Sequence, residues 1–206
     1  MKFGSLAAAA VLLGLGIGLA QAQTQTPATP PVRIRGTIVA LDGNLMTVTS
    51  REGQALKITL ADPVTVTAPK KLALADIAAN SYIGTAALPQ ADGTLVAQEV
   101  VVFPESARGN GEGQFPWDLT AGSMMTNANV AAMVESKDGR ELSLAYKGGT
   151  AKVRVPAGVP IVTFVPAAKT DLKPGAKVFL SATKGADGGL TAARVTVEKD
   201  GVAPPM

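Results

Sequence analysis

Residues 32–60 read VRIRGTIVALDGNLMTVTSREGQALKITL, a segment in which apolar and polar side chains alternate. Successive side chains of a β-strand point to opposite faces, so a period of two predicts strands with one buried and one solvated face. Asp42-Gly43-Asn44 interrupts the alternation, and glycine and asparagine accept the positive φ angles of a tight hairpin turn. The segment therefore predicts a β-hairpin followed by a third strand.

The chain repeats itself at an offset of 95 positions, beginning with Asp76-Ile77, which matches Asp171-Leu172. Near the start of each repeat the match needs one or two extra residues in the second copy. We predict a tandem duplication, with copies at 32–103 and 127–199 that each enclose their own apolar core. The same offset relates Ile58 to Val153, Leu60 to Val155, Val66 to Ile161, Asp92-Gly93 to Asp187-Gly188, Leu95 to Leu190, Val100 to Val195 and Val102 to Val197.

Each copy contains one short segment that breaks the β pattern. In the first copy, residues 72–79 are rich in alanine and leucine, which predicts a turn or two of helix. In the second copy, Pro174 and Gly175 limit the equivalent segment to a short turn. Three strands, a short helical plug and two more strands is the order of an OB-type barrel. We predict an all-β fold of two tandem OB-like β-barrels whose filled interiors leave no enclosed ligand cavity.

The two ends of the chain predict processing and flexibility. Lys2 precedes a short apolar run, and Ala20-Gln21-Ala22 places small residues at the two positions that a signal peptidase recognises. A membrane anchor is the competing interpretation, but it needs about 20 apolar residues, more than this run provides. We expect a signal peptide over 1–22, a disordered linker over 23–31 and a periplasmic or secreted location. The C-terminal tail, 200–206, contains two prolines and is expected to fray.

The composition argues against several functional classes. The sequence contains no histidine and no cysteine, which are the usual ligands of zinc, copper and iron and the usual partners in nucleophilic catalysis. A net charge of +3, from 19 basic and 16 acidic residues, is too small to indicate a nucleic-acid partner. After the signal peptide, no segment is long and apolar enough to span a membrane. We therefore predict a non-enzymatic protein with no cofactor, metal, nucleic-acid partner or integral membrane segment.

The connector between the copies, 104–126, contains an aromatic and methionine cluster that a passive linker would lack. One interpretation is that Trp117, the only tryptophan, and its neighbours pack the connector against one or both barrels. The other is a surface for a ligand or partner, because functional residues concentrate on loops held by rigid scaffolds. The candidate binding residues are Phe115, Trp117, Asp118, Met124 and Met125.

The first copy contains turn and core motifs at Gly36-Thr37-Ile38, Asp42-Gly43-Asn44, Val64, Asp76-Ile77 and Tyr82-Ile83-Gly84. These motifs resemble those of a known family, the uncharacterised secreted bacterial OB-like domains. The resemblance covers both copies and is clearer in the first, and it implies the fold and not a function. Some relatives are labelled metal ABC transporter permease, a label that this sequence contradicts because a permease needs several membrane spans.

Together these features predict a periplasmic or secreted binding or adaptor protein. Its partner would be an envelope protein or a small molecule, and its ligand and oligomeric state stay open. One alternative is a structural or stress-response envelope protein without a dedicated ligand. A second alternative is a hydrolase that uses two carboxylates whose proximity in space a sequence does not show.

Overall fold

The computed structural model describes residues 30–205, so the predicted signal peptide at 1–22 and residues 23–29 of the predicted linker lie outside the described residues. Within the described range, no helix is long and apolar enough to cross a membrane. The helical structure there consists of three single 3-10 turns, at Leu74–Asp76, Glu105–Ala107 and Lys169–Asp171. The strands are β1 (Val32–Asp42), β2 (Leu45–Ser50), β3 (Ala55–Lys71), β4 (Tyr82–Pro89), β5 (Leu95–Val102), β6 (Gly113–Pro116), β7 (Met124–Ser136), β8 (Gly139–Tyr146), β9 (Gly149–Pro156), β10 (Ile161–Pro166), β11 (Lys177–Lys184) and β12 (Leu190–Val197).

Five strands close the first barrel, which we call barrel A. β1 pairs with β2, and β2 pairs with β3, in the antiparallel arrangement that the alternating sequence predicts. β3 then runs parallel to β12, β12 pairs antiparallel with β11, and β11 returns antiparallel to β1. Every strand of this circle has a neighbour on both sides, so barrel A has no free edge within it.

Five further strands close barrel B in the same order, β7, β8, β9, β5 and β4, with β4 returning to β7. The two barrels also agree in register. Leu190 lies beside Ile58 in barrel A, and Leu95 lies beside Val153 in barrel B, so both partners are displaced by 95 positions. The predicted all-β barrel fold is confirmed, and the described residues form two such barrels.

Each barrel combines strands from both sequence copies, so the prediction that each copy encloses its own core is wrong. Barrel A takes three strands from the first copy and two from the second, and barrel B takes the reverse. The cores show the same exchange, because Ile58 of the first copy packs in one cluster with Val195 of the second. The predicted boundaries 32–103 and 127–199 therefore mark sequence repeats that are interleaved in space.

Two crossing strands cause this exchange. β3 is 17 residues long, and its end extends beyond barrel A, where residues 67–71 pair antiparallel with 162–166 of β10. β10 in turn runs parallel to β5 of barrel B. Pro69 faces Phe164 at the middle of this crossing, and these two positions are themselves 95 apart. A pseudo-two-fold axis therefore passes through this pair, and the crossing takes the last two strands of each copy away from its first three.

Both barrel cores are built from aliphatic side chains. Met46, Ile58 and Leu60 of barrel A, and Leu142 and Leu144 of barrel B, are almost completely buried. Burying a leucine or isoleucine side chain contributes about 1.5–3 kcal/mol each. Neither buried cluster of the described chain contains phenylalanine or tryptophan, so these large side chains lie elsewhere.

Two local segments differ from the sequence expectations. Residues 72–79 form only one 3-10 turn, Leu74–Asp76, closed by a hydrogen bond from the backbone N–H of Ala73 to the Asp76 carboxylate at 2.7 Å. The expectation that the tail at 200–206 frays is wrong as far as residue 205. Two backbone hydrogen bonds link Lys199 and Val202, and burial of Pro204 anchors the segment that follows them.

Candidate ligand-binding cleft

Aromatic side chains gather at one cleft between the two barrels. The cleft has a volume of about 330 Å³, within the usual size range of small-molecule sites. Its aromatic side chains are only half-buried, whereas the barrel cores are filled by aliphatic ones. The described phenylalanines and the single tryptophan all line this cleft: Phe103, Phe115, Trp117, Phe164 and Phe179.

Barrel A supplies one wall of the cleft from the outer faces of β1 and β11. Ile34 and Leu180 point into the core of barrel A. Their neighbours Arg33, Arg35 and Phe179 therefore point outward, because side chains alternate along a strand. Arg35 and Phe179 are opposite each other in the β1–β11 pair, and the guanidinium carbon of Arg35 lies 4.8 Å from the centre of the Phe179 ring.

Barrel B supplies the facing wall from β4, β5 and β7. Met125 of β7 pairs with Phe115 of the short strand β6, which places the first part of the connector beside the cleft. Gly84 of β4 is opposite Asn127 of β7. A Cβ atom at Gly84 would lie 2.6 Å from Asn127 Oδ1 and 2.8 Å from a ring carbon of Phe103. The absence of a side chain at Gly84 therefore leaves the space that Phe103 occupies.

The aromatic rings contact one another in two groups. The Trp117 ring centre lies 6.1 Å from that of Phe115 and 6.3 Å from that of Phe179. The Phe103 ring centre lies 6.4 Å from that of Phe164, which comes from the crossing strand β10. These separations fall in the range in which aromatic pairs attract each other through tilted or edge-to-face contacts. Residues from both barrels, the crossing and the connector thus form one aromatic surface.

The connector is fixed to both barrels, as the packing interpretation of this segment requires. The Trp117 backbone N–H donates to the Ser123 carbonyl at 2.8 Å, and the Ser123 hydroxyl donates to the Trp117 carbonyl at 3.1 Å. Arg51 of barrel A donates to two connector carbonyls at 3.0 and 3.1 Å. The Thr120 hydroxyl donates to the side-chain carbonyl of Gln98 on barrel B at 2.9 Å. Trp117 is therefore held in place and does not lie on a free loop.

Two arginines of β1 pack against Trp117 and share one carboxylate. The guanidinium carbon of Arg33 lies 4.1 Å from the centre of the Trp117 ring, and that of Arg35 lies 5.4 Å from it. Arg35 donates to Asp118 Oδ1 at 2.9 Å, while Arg33 lies 3.9 Å from the same oxygen. Only 3% of the Arg35 side chain is exposed, against 31% of Arg33. Arg35 is thus a structural ion-pair partner, and Arg33 keeps a guanidinium that reaches solvent.

Glu99 is the one acidic side chain that lines the cleft as the structure describes it. It lies on β5 and is 6% exposed. Burial raises the pKa of its carboxyl from 4.5 to about 7, although the positive charge of Arg35 opposes this rise. Near neutral pH the carboxyl therefore exists in both protonation states and can donate or accept a hydrogen bond.

Three buried polar atoms at or beside the cleft have no hydrogen-bond partner within residues 30–205: Arg35 Nε, Trp117 Nε1 and Asn127 Oδ1. A buried polar group without a partner typically costs about 1–3 kcal/mol. Such groups are few in native proteins, and each calls for an explanation. All three atoms belong to residues at or beside the cleft.

The five residues predicted from the sequence are placed differently by the structure. Phe115, Trp117 and Met125 line the cleft. Asp118 lies beside it and binds Arg35. Met124 does not line the cleft, because successive side chains of β7 point to opposite faces of the strand.

Several cleft residues were missed by sequence reasoning. Arg33 and Phe179 occupy outward positions of strands, and Glu99 lies on β5, whose sequence contains no functional motif. Phe179 could have been identified from the sequence. It lies between the core positions Val178 and Leu180, and therefore on the outward face of the strand, where a polar side chain is expected.

Residues 30–205 contain no cluster of side chains that could hold a metal ion. Histidine and cysteine are absent from the sequence, and nowhere in residues 30–205 do three or more acidic side chains gather as a metal site would need. Glu99 has no second carboxyl with it in the lining of the cleft. The arrangement is suited to binding by apolar contact, cation–π contact and hydrogen bonding. No protein-family model, curated protein or solved structure matches this chain.

Proposed function

We propose that the protein is a non-enzymatic binding or adaptor module, acting in the periplasm or outside the cell, whose inter-barrel cleft holds an apolar ligand or partner segment. One observation supports this most directly. The described phenylalanines and the only tryptophan line a half-open cleft, although two apolar cores were available to bury them. Large exposed apolar patches generally mark interaction sites.

The construction of the cleft supports the same proposal. Its walls come from closed barrels, and the connector that contributes Trp117 is hydrogen-bonded to both of them. Rigid walls reduce the conformational entropy that is lost on binding, which raises the affinity without adding contacts. The hydrolase alternative needs two carboxyls at one site, whereas Glu99 alone lines the cleft over the described residues.

The test uses N-phenyl-1-naphthylamine, an uncharged probe whose fluorescence rises in apolar surroundings. We expect saturable binding to the full chain and a loss of at least about tenfold in affinity for the double variant Phe115→Ala, Trp117→Ala, because these rings form part of the apolar lining. Val134→Ala is the control, since Val134 is 63% exposed and lies outside the cleft.

Thermal unfolding followed by circular dichroism distinguishes a lost site from a lost fold. The double variant should unfold cooperatively and retain its β spectrum, because neither ring belongs to a barrel core. Unchanged probe binding in the double variant would contradict the proposal. Unfolding of that variant would show that the aromatic cluster serves the fold and not a ligand.

A further inference from the structure

The cleft continues into a second compartment on the outer face of barrel A. This compartment has a volume of about 540 Å³ and shares Phe103, Phe164 and Phe179 with the cleft. The three rings therefore form a common wall between two open spaces. A ligand longer than one ring could lie across this wall and contact both compartments.

The far side of the second compartment is polar and positively charged. Arg194 of β12 is exposed, lies opposite Thr65 of β3, and forms no ion pair with any residue in the described part of the chain. Beside it, the hydroxyls of Thr67 and Thr196 lie 3.1 Å apart. A guanidinium beside threonine hydroxyls presents several hydrogen-bond donors in one place, which suits a carboxylate, sulfonate or phosphate.

Positive charge exceeds negative charge around the two compartments. Arg33, Arg35 and Arg194 supply three guanidinium groups. Asp118 is shared by the first two, and the buried Glu99 is the remaining acid. Because a low-dielectric apolar wall strengthens the attraction of an unpaired cation for an anion, this excess favours negatively charged ligands.

We propose that the ligand is an amphiphilic anion, with an apolar body against Phe103, Phe164 and Phe179 and its single anionic group beside Arg194. This inference rests on the proposed binding function and adds the chemical class of the ligand. A neutral apolar molecule would leave the donors around Arg194 unused. A cationic one would be repelled by the arginines on both sides of the aromatic wall.

Two probes with the same aromatic body test the proposal. 1-Anilinonaphthalene-8-sulfonate carries a sulfonate, and N-phenyl-1-naphthylamine lacks it. We expect the full chain to bind the sulfonate probe at least about tenfold more tightly, a difference of about 1.4 kcal/mol. Arg194→Gln should reduce sulfonate binding by about tenfold and leave binding of the neutral probe unchanged, whereas Arg194→Lys should keep part of the preference because it keeps the charge.

Arg154→Gln is the matched control, because Arg154 is also an exposed strand arginine and lines neither compartment. An equal loss of sulfonate binding in Arg154→Gln and Arg194→Gln would overturn the proposal, because it would show only a long-range charge effect. Equal affinity for both probes, unaffected by Arg194→Gln, would overturn the ligand class and leave the binding function standing. Failure of both probes to bind would overturn both proposals.

Competition separates two sources of this chemistry. Dodecanoate has a flexible acyl body, and 2-naphthoate has a flat aromatic one. Displacement of the sulfonate probe by either acid, but not by dodecanol, supports the proposed class and identifies the preferred body. Displacement by dodecanol as effective as that by dodecanoate would contradict a role for the anionic group.

Discussion

Glu99 makes the free energy of unfolding depend on pH, and its replacement by glutamine measures the size of this dependence. The side chain lies on β5 of barrel B, is 6% exposed and interacts electrostatically with Arg35 of barrel A. Glu99→Gln keeps the size of the side chain and one hydrogen-bonding oxygen but removes the ionisable group. The variant therefore isolates the cost of holding a carboxylate between the barrels.

The magnitude follows from the pKa of the Glu99 carboxyl, which burial raises from 4.5 to about 7. Between these two values the folded protein binds more protons than the unfolded chain, so the free energy of unfolding falls as the pH rises. Well below pH 4.5 the carboxyl is protonated in both states, and the free-energy cost of its burial as a carboxylate disappears. At about 1.4 kcal/mol per pH unit, the full difference above pH 7 amounts to about 3 kcal/mol.

Urea unfolding at pH 4.5 and pH 8, followed by the fluorescence of Trp117, is the assay. We expect the stability of Glu99→Gln relative to the native sequence to increase by about 3 kcal/mol from the lower to the higher pH. Glu112→Gln is the control, because Glu112 is exposed and its replacement removes a carboxyl without relieving burial. A relative stability of Glu99→Gln that stays constant across this range would refute the reasoning.

The remaining predictions concern the exchanged strands, the core and the cleft. Fragments 1–121 and 122–206, separated in an exposed turn, should each fail to fold as a monomer and should regain β structure when mixed, because each barrel needs strands from both. Analytical ultracentrifugation that shows either fragment alone as a folded monomer would contradict this expectation. Leu144→Ala should lower the free energy of unfolding by about 2–5 kcal/mol in urea titrations, and Val134→Ala by less than about 0.5 kcal/mol, since only the first removes buried volume. Gly84→Ala should weaken binding of N-phenyl-1-naphthylamine several-fold at unchanged β content, because the added methyl would displace a cleft ring; full affinity would show that the wall yields easily.

The sequence was sufficient to predict strands in both copies, but not the short strand β6 in the connector. Alternation around Ile34 and Ile58 identified the buried faces, and both side chains lie in the core of barrel A. The sequence could not show which strands pair. The two copies match at their core positions, so β3 finds similar apolar neighbours on β5 of its own copy and on β12 of the other. Periodicity specifies the face of a strand and not its partner, and the crossing at Pro69 decides between two pairings that look alike in sequence.

The site was only partly predictable for a related reason. Trp117 and Phe115 were predictable as candidate binding residues because they lie in a connector, where aromatic residues are unexpected. Arg33 and Phe179 lie on outward strand positions, which look like ordinary solvent-facing positions until the second barrel is placed over them. Residues that become a site only through packing of two units leave no local pattern in the sequence.

The walls of the cleft are asymmetric, because equivalent strand pairs of the two barrels carry different residues. Strand pairing puts Arg35 opposite Phe179 in barrel A and Asn127 opposite Gly84 at the equivalent place in barrel B. Barrel A therefore contributes a positive charge and an aromatic ring where barrel B contributes an amide and no side chain. A ring at position 84, like that of Phe179 in barrel A, would occupy the space that Phe103 fills, because even a Cβ atom there would lie 2.8 Å from a ring carbon of Phe103. The missing side chain at Gly84 therefore leaves room in the wall of the cleft, and β3 and β10 pair with each other where they cross between the barrels.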